Sequence, residues 1–155
     1  MKVGDRMNEL FVRQATIEDL NEVTILFNEY RIFYGQETDL EGAKQFLLDR
    51  FEHSQSIIFV VTENHQFIGF TQLYPSFSSV SMKRSWILND LFVVETCRGN
   101  GVARLLLEAA KKFTTQTNAK GISLSTSISN ERAQSIYERY GFEKENEFFH
   151  YYLTI

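Results

Sequence analysis

The sequence predicts a single α/β domain with its elements in the order βααβββαβαβ(β). Three observations lead there. Stretches with apolar residues at three- and four-residue steps alternate with runs of β-branched and aromatic residues, so helical and extended periods succeed one another along the chain. A length of 155 residues, 43% hydrophobic and 14% aromatic, fits one compact core and calls for no second one. No internal repeat, low-complexity tract or linker interrupts the pattern.

Residues 1–8 are expected to be a lead-in and residues 9–155 the domain. The opening MKVGDRMNEL lacks the apolar run of a signal peptide. LFVRQAT reads as the first strand. Thr16, with Asp19 three places on, then starts a helix in the manner of a capping box. Leu20, Val23, Phe27 and Tyr30 share one face of that helix until Gly35 stops it. A second helix, DLEGAKQFLLDRF, turns Leu40, Ala43, Phe46, Leu47 and Phe51 inward. SIIFVVTENHQFIGFTQLY reads as a hairpin turning at Glu63 to His65 and ended by Pro75, the one proline; PSFSSVSMKR follows as a polar loop. WILNDLFVVE is a strand, VARLLLEAAKKF a helix and KGISLSTSI a strand. Asn130 caps the last helix, and FFHYYLTI closes the chain as a strand.

Charge and composition exclude several function classes. Sixteen basic and twenty acidic residues give a formal charge of −4, without the basic run or face that nucleic acid requires. No segment approaches the length of a membrane span. The single cysteine, Cys97, leaves no internal disulfide, and histidines at 53, 65 and 150 show no metal-ligand spacing with it. A cytoplasmic, metal-free protein is expected.

The stretch CRGNGVARLLLEAAKKF sets two glycines and an arginine between a strand and a helix. Two readings of that turn stand. Gly99 and Gly101 can be a plain tight turn that needs positive φ. Alternatively, the bare turn exposes N–H groups at a helix N-terminus, where phosphate is favoured and Arg98 adds a positive fork. The Walker pattern is absent, because no Gly-Lys-Ser/Thr triplet occurs. The dinucleotide fingerprint fails on spacing, since Arg104 stands where its third small residue belongs. What remains is Arg-x-x-Gly-x-Ala, formed by Arg98, Gly101 and Ala103.

With that motif the sequence resembles the GNAT superfamily of N-acetyltransferases, whose pyrophosphate loop for coenzyme A has the form Gln/Arg-x-x-Gly-x-Gly/Ala. A second block, NERAQSIYERYGF, is similar to the family's Asn-x-x-Ala-x-x-x-Tyr-x-x-x-Gly-Phe segment through Asn130, Ala133, Tyr137, Gly141 and Phe142. WILNDLFV resembles a strand of the diamine and polyamine acetyltransferase branch. The resemblance implies a single mixed, mostly antiparallel sheet flanked by helices, and transfer of an acetyl group from acetyl-CoA to a primary amine within a ternary complex.

It also implies roles. The N–H groups of Gly99, Asn100, Gly101, Val102, Ala103 and Arg104 would hold the pyrophosphate beside Arg98. Leu91, Phe92 and Val93 would offer backbone groups to the pantetheine arm and the thioester carbonyl where the strand bulges. Asn130 would reach the coenzyme, and the phenol of Tyr137 would protonate the leaving thiolate. The acceptor must first lose a proton, because an ammonium of pKa about 10.4 is neutral in only about one part in a thousand at pH 7. Asn89 occupies the glutamate position that supplies the base in the diamine branch. Asp90, the nearest carboxylate, is then the candidate base, and ordered water is the alternative. Strand alternation points Asn89 and Asp90 to opposite faces unless the bulge reorients them.

For the acceptor pocket the resemblance points to EYRIFYGQ and YPSFSS, with Tyr34 and Phe77 as aromatic walls for a small cationic amine. A protein lysine or N-terminus is the alternative acceptor, and a non-catalytic acyl-CoA sensor the alternative function. The aromatic stretch EFFHYYL is expected to pair at a sheet edge and make a homodimer.

Overall fold

The computed structural model describes residues 9–155, so the expected lead-in lies outside the described residues. Their packing divides them into two compact units, one ending at Ser125 and the other spanning Thr126–Ile155.

The first unit holds five strands, β1 (Leu10–Gln14), β2 (Ile57–Glu63), β3 (Gln66–Ser78), β4 (Lys83–Val93) and β5 (Ile122–Ser123), side by side in chain order. The first four are antiparallel neighbours, and β5 joins β4 in parallel. This is the mixed, mostly antiparallel sheet that the sequence predicts. Three helices cover it: α1 (Leu20–Phe33), α2 (Leu40–Glu52) and α3 (Val102–Gln116).

Alternation along β2 sorts the helices between the two faces. Ile58 and Val60 join a core cluster with Leu20, Val23, Leu26 and Phe27 of α1 and Ala43 and Leu47 of α2. Phe59, one residue out of phase, meets Phe113 of α3 with ring centroids 5.7 Å apart. Trp86 of β4 packs against the same Phe113, the rings tilted and 5.0 Å apart, and donates its indole N–H to Thr117 Oγ1 at 2.9 Å, which fixes the far end of α3. Its near end is fixed by a close approach. A Cβ on Gly69 of β3 would lie 3.0 Å from the Phe92 carbonyl oxygen and 3.1 Å from Val102 Cγ1, so any larger residue would have to displace these neighbours by a few tenths of an ångström.

The helix start at Thr16 takes the expected form: a 3-10 turn, Ile17–Asp19, leads into α1, and the Thr16 N–H donates to Asp19 Oδ2 at 2.8 Å. The hairpin turn also falls as expected, with Asn64 and His65 both at positive φ. Leu40 and Phe46, expected inside, are exposed.

Three sequence expectations are corrected. Pro75 does not end β3, which continues to Ser78 and pairs Pro75 with Trp86; the expected polar loop shrinks to residues 79–82, the turn of a second hairpin. Trp86 gives its N–H to the Gly121 carbonyl at 3.0 Å, on the β5 side, so Pro75 opposite it also faces away from β4. On that side β2 pairs only as far as Leu73, and the missing proline N–H costs no ladder bond. The strand expected in KGISLSTSI is reduced to two residues because its ladder with β4 covers Trp86 and Ile87 alone. The closing strand is absent: residues 143–155 pair with no strand among the described residues, and composition alone makes no strand without a partner.

Candidate active site

After β4 the chain makes a 3-10 turn, Glu95–Cys97, and reaches two left-handed glycines, Gly99 at φ 82° and Gly101 at φ 80°. A side chain is therefore disfavoured at both, although a Cβ at either would meet nothing within 4 Å. Both readings of the turn are physically compatible. The left-handed backbone makes the turn, and the open space leaves its amides accessible.

α3 starts at Val102, with Gly101 as a cap that has no side chain to offer and no acidic residue in the first turn. The first intrahelical bond closes from Leu105 N–H to the Gly101 carbonyl at 3.1 Å, so the N–H groups of Val102, Ala103 and Arg104 have no acceptor within the helix. Those donors and the helix dipole suit a phosphate group, and the residues present therefore fit a nucleotide diphosphate.

Arg98 does more than add charge. Its Nε donates to the Val93 carbonyl at 2.9 Å, and its guanidinium lies 5.2 Å from the Phe33 ring centroid and 5.6 Å from that of Phe92. It thereby ties the loop to the end of β4 and the end of α1. Arg104 is largely exposed and only 4.0 Å from Glu108, a contact too loose to hold it.

The centre of β4 carries the bulge. Gln72 pairs with Asp90 and Leu73 with Leu88, which leaves Asn89 as the extra residue. Two residues earlier, at Ile87, the ladder with β5 has already ended. From Leu88 to Val93 the strand has a ladder partner on one side only among the described residues, so half-buried Leu91 and buried Phe92 and Val93 lie along its free edge.

Asp90 is the carboxylate this bulge places. It is 3% exposed, and its neighbours are amides and phenols. Gln72 Nε2 donates to Oδ2 at 2.6 Å, Asn89 Nδ2 donates to Oδ1 at 3.1 Å, and the Tyr30 hydroxyl, which donates to the Asn89 main-chain carbonyl at 3.5 Å, lies close enough to favour the charged carboxyl. Burial pushes the Asp90 carboxyl above the usual carboxylate range, and the three donors hold it back only in part. Half-buried Tyr74 is pushed up to about 12, by its burial and by the Asp90 charge. The bulge breaks the alternation: Trp86 faces Phe113 of α3, whereas Phe92, an even number of residues on, joins the α1 and α2 cluster, so Asp90 is turned to the α1 side, where the Asn89 amide reaches it.

The two aromatic candidates part company. Tyr34 is half-exposed, with its ring 4.9 Å from Tyr30 and 5.3 Å from Phe33, so it joins the Asp90 surroundings through Tyr30. Phe77 stands on β3 opposite Arg84, five residues beyond Gln72 and thus about 17 Å along the strand. It is 69% exposed, with the Arg84 guanidinium 5.0 Å from its ring centroid. The structure does not bring Phe77 together with Tyr34.

In the second unit α4 (Glu131–Tyr140) is capped by Asn130, whose Oδ1 accepts from the Ala133 N–H at 3.1 Å. Tyr137 is half-buried, its ring edge-on to Phe142 at 5.8 Å, and Gly141 at φ 119° ends the helix. Among the described residues no three or more His, Cys, Asp or Glu side chains gather as a metal site, and no helix is long and apolar enough to cross a membrane.

Sequence reasoning missed Gln72 beside Asp90 and left Tyr30 equally open as core residue or pocket wall. A signal was present in FTQLY, where Thr71 and Gln72 set two adjacent polar residues in the buried middle of a strand.

Comparison with known proteins bears on the family and the fold. The sequence model of the Acetyltransferase (GNAT) family matches residues 20–142. The chain is 50% identical over 144 residues to the uncharacterized N-acetyltransferase YhfO of Bacillus subtilis (strain 168), covering 93% of this chain and 97% of that protein. It superimposes on the crystal structure of a probable acetyltransferase with a TM-score of 0.89 at 43% identity, covering 94% and 97% of the two chains. An aminoglycoside N-acetyltransferase solved in complex with CoA shares the fold at a TM-score of 0.82 and 18% identity, over 99% of this chain and all of that one.

Proposed function

The chain belongs to the acetyltransferase (GNAT) family, and from that premise we propose that it moves the acetyl group of acetyl-CoA to the primary amine of a small cationic, polyamine-like molecule. It does so by direct attack in a ternary complex, in the cytoplasm, with residues 9–155 as one catalytic domain. The observation that carries the reading is a buried carboxylate, Asp90, at the bulge of a strand whose free edge leads into an uncapped, phosphate-suited helix start.

Bound acetyl-CoA supplies an activated thioester. The amides from Gly99 to Arg104 bind its diphosphate, Arg98 holds the loop to β4, and the free edge at Leu91, Phe92 and Val93 receives the pantetheine arm. Asn130 caps the helix that presents Tyr137. Asp90 takes the proton that the acceptor ammonium must lose, and Tyr137 returns a proton to the departing thiolate. The exposed rings of Phe33 and Tyr34 suit an alkyl cation, and the excess of acidic residues favours one. The exposed run Phe148 to Leu153 is assigned to pairing between two copies of the chain, which light scattering reads directly as a dimer mass.

Release of free thiol from acetyl-CoA, measured across a panel of diamines, polyamines, lysine peptides and peptide N-termini, tests the reading. Fastest turnover is expected with a small polyamine; preference for peptides would move the acceptor class to proteins. Tyr137→Phe keeps the ring and is expected to lower turnover about 10²-fold at nearly constant acetyl-CoA affinity. Unchanged turnover would remove Tyr137 from the proton path.

A further inference from the structure

Gln72 is wholly buried, and its two polar atoms fare differently. Nε2 donates to Asp90 Oδ2 at 2.6 Å, while Oε1 has no hydrogen-bond partner among the described residues. A buried amide with an unserved acceptor costs stability, and a methionine or leucine there would carry no such cost. Its presence is explained by what its donor does.

The neighbouring residue acts on the same target, for Thr71 Oγ1 donates to the Asp90 main-chain carbonyl at 2.8 Å. Two adjacent residues of β3 therefore hold one residue of β4 by backbone and side chain together, directly beside the bulge. We propose that Gln72 is a positioning residue for acetyl transfer, fixing the Asp90 carboxyl at the bulge while allowing it to take up and give back a proton in place.

An arginine or lysine would hold the carboxyl as firmly but would keep it ionised. A glutamine has both a donor and an acceptor. Nε2 serves the carboxylate; after a half-turn of the terminal amide, Oε1 accepts from the O–H of the protonated acid. The proton comes from the acceptor ammonium and leaves to solvent, and no other bond changes in this step. The ionisable groups around Asp90 are Tyr30 from α1 and Tyr74 from β3, with Arg50 of α2 acting on Tyr74. The inference rests on Asp90 being the base.

Gln72→Met, near in shape and without the amide, tests it through stability, rate and the titration of Asp90. The melting temperature is expected to hold or rise, and kcat to fall about tenfold or more with the acetyl-CoA KM changed less than twofold. The acidic limb of the kcat/KM profile moves to higher pH, and the 13C carboxyl signal of Asp90 titrates higher in step. A purely structural glutamine would instead lower the melting temperature and leave the limb where it was, which overturns the proposal. A carboxyl titration that moves while the rate limb does not overturns it from the other side, by showing that Asp90 is not the base. Gln72→Glu covers failure of the methionine variant to fold. Two carboxyls sharing one proton move the limb further up, and an unmoved limb again overturns the proposal.

Discussion

Asp19 and Asp90 are both buried carboxylates, 8% and 3% exposed, and they sit in opposite electrostatic settings. Asp19, at the start of α1, receives Arg13 as a fork, Nη1 donating to Oδ2 at 2.7 Å and Nη2 to Oδ1 at 2.8 Å, and accepts the Thr16 N–H. Those bonds, the Arg13 pair first, hold its carboxyl below the usual range. Asp90 is served only by neutral donors, and burial wins. A charged partner makes a carboxylate a fastener. With neutral partners, burial is left to favour the protonated acid.

The largest expected effect separates the two by function. Asp90→Asn should lower turnover by about 10² or more while the protein melts at the same temperature or higher at pH 7, because a buried charge has been removed. Asp19→Asn should leave turnover nearly intact and cost about 1–2 kcal/mol of stability through loss of the charged Arg13 fork. Kinetics and thermal melts on the pair decide it. Similar losses of activity in both variants would erase the distinction.

The second expectation is a sign. Asp90 binds its proton more tightly in the folded chain, so its contribution to stability grows as pH falls from neutrality through its raised pKa and levels off below about 3.9, the unfolded value. Asp19 contributes in the other direction: its share is complete above about 3.9 and is lost as pH falls through its lowered pKa. Melts from pH 7 to pH 3 should show the advantage of Asp90→Asn over wild type shrinking toward acid. The deficit of Asp19→Asn should shrink only at the acid end.

The smallest effect concerns the rings. Tyr34→Ala should raise the acceptor KM by up to about thirtyfold, a loss of about 2 kcal/mol or less, with acetyl-CoA affinity constant. Phe77→Ala, far along β3 and beside Arg84, should change the acceptor KM less. Equal effects in two-substrate kinetics would restore Phe77 to the pocket.

What the sequence made legible follows from where the chemistry resides. The glycine turn was readable because Gly99 and Gly101 encode their own backbone conformation, and the amides they free belong to adjacent residues. The surroundings of Asp90 were not, because Gln72 is 18 residues away and meets it only through a register shift that no local pattern announces. Pro75 was misread for the same reason: whether a strand tolerates proline depends on how far β2 runs beside it. The aromatic C-terminal run has strand composition, but a ladder needs two members and composition describes one.

Gly69 has a consequence for anyone who wishes to alter this protein. Its missing methyl lets Val102 settle against β3, and Val102 is also the first residue of the helix whose open amides face the phosphate-suited turn. The ligand end of α3 is therefore levelled from beneath, by interior packing. A substitution at 69 tilts the platform by a few tenths of an ångström from a place no ligand visits, so a random search for altered coenzyme preference should find hits in the middle of the sheet as well as at its mouth.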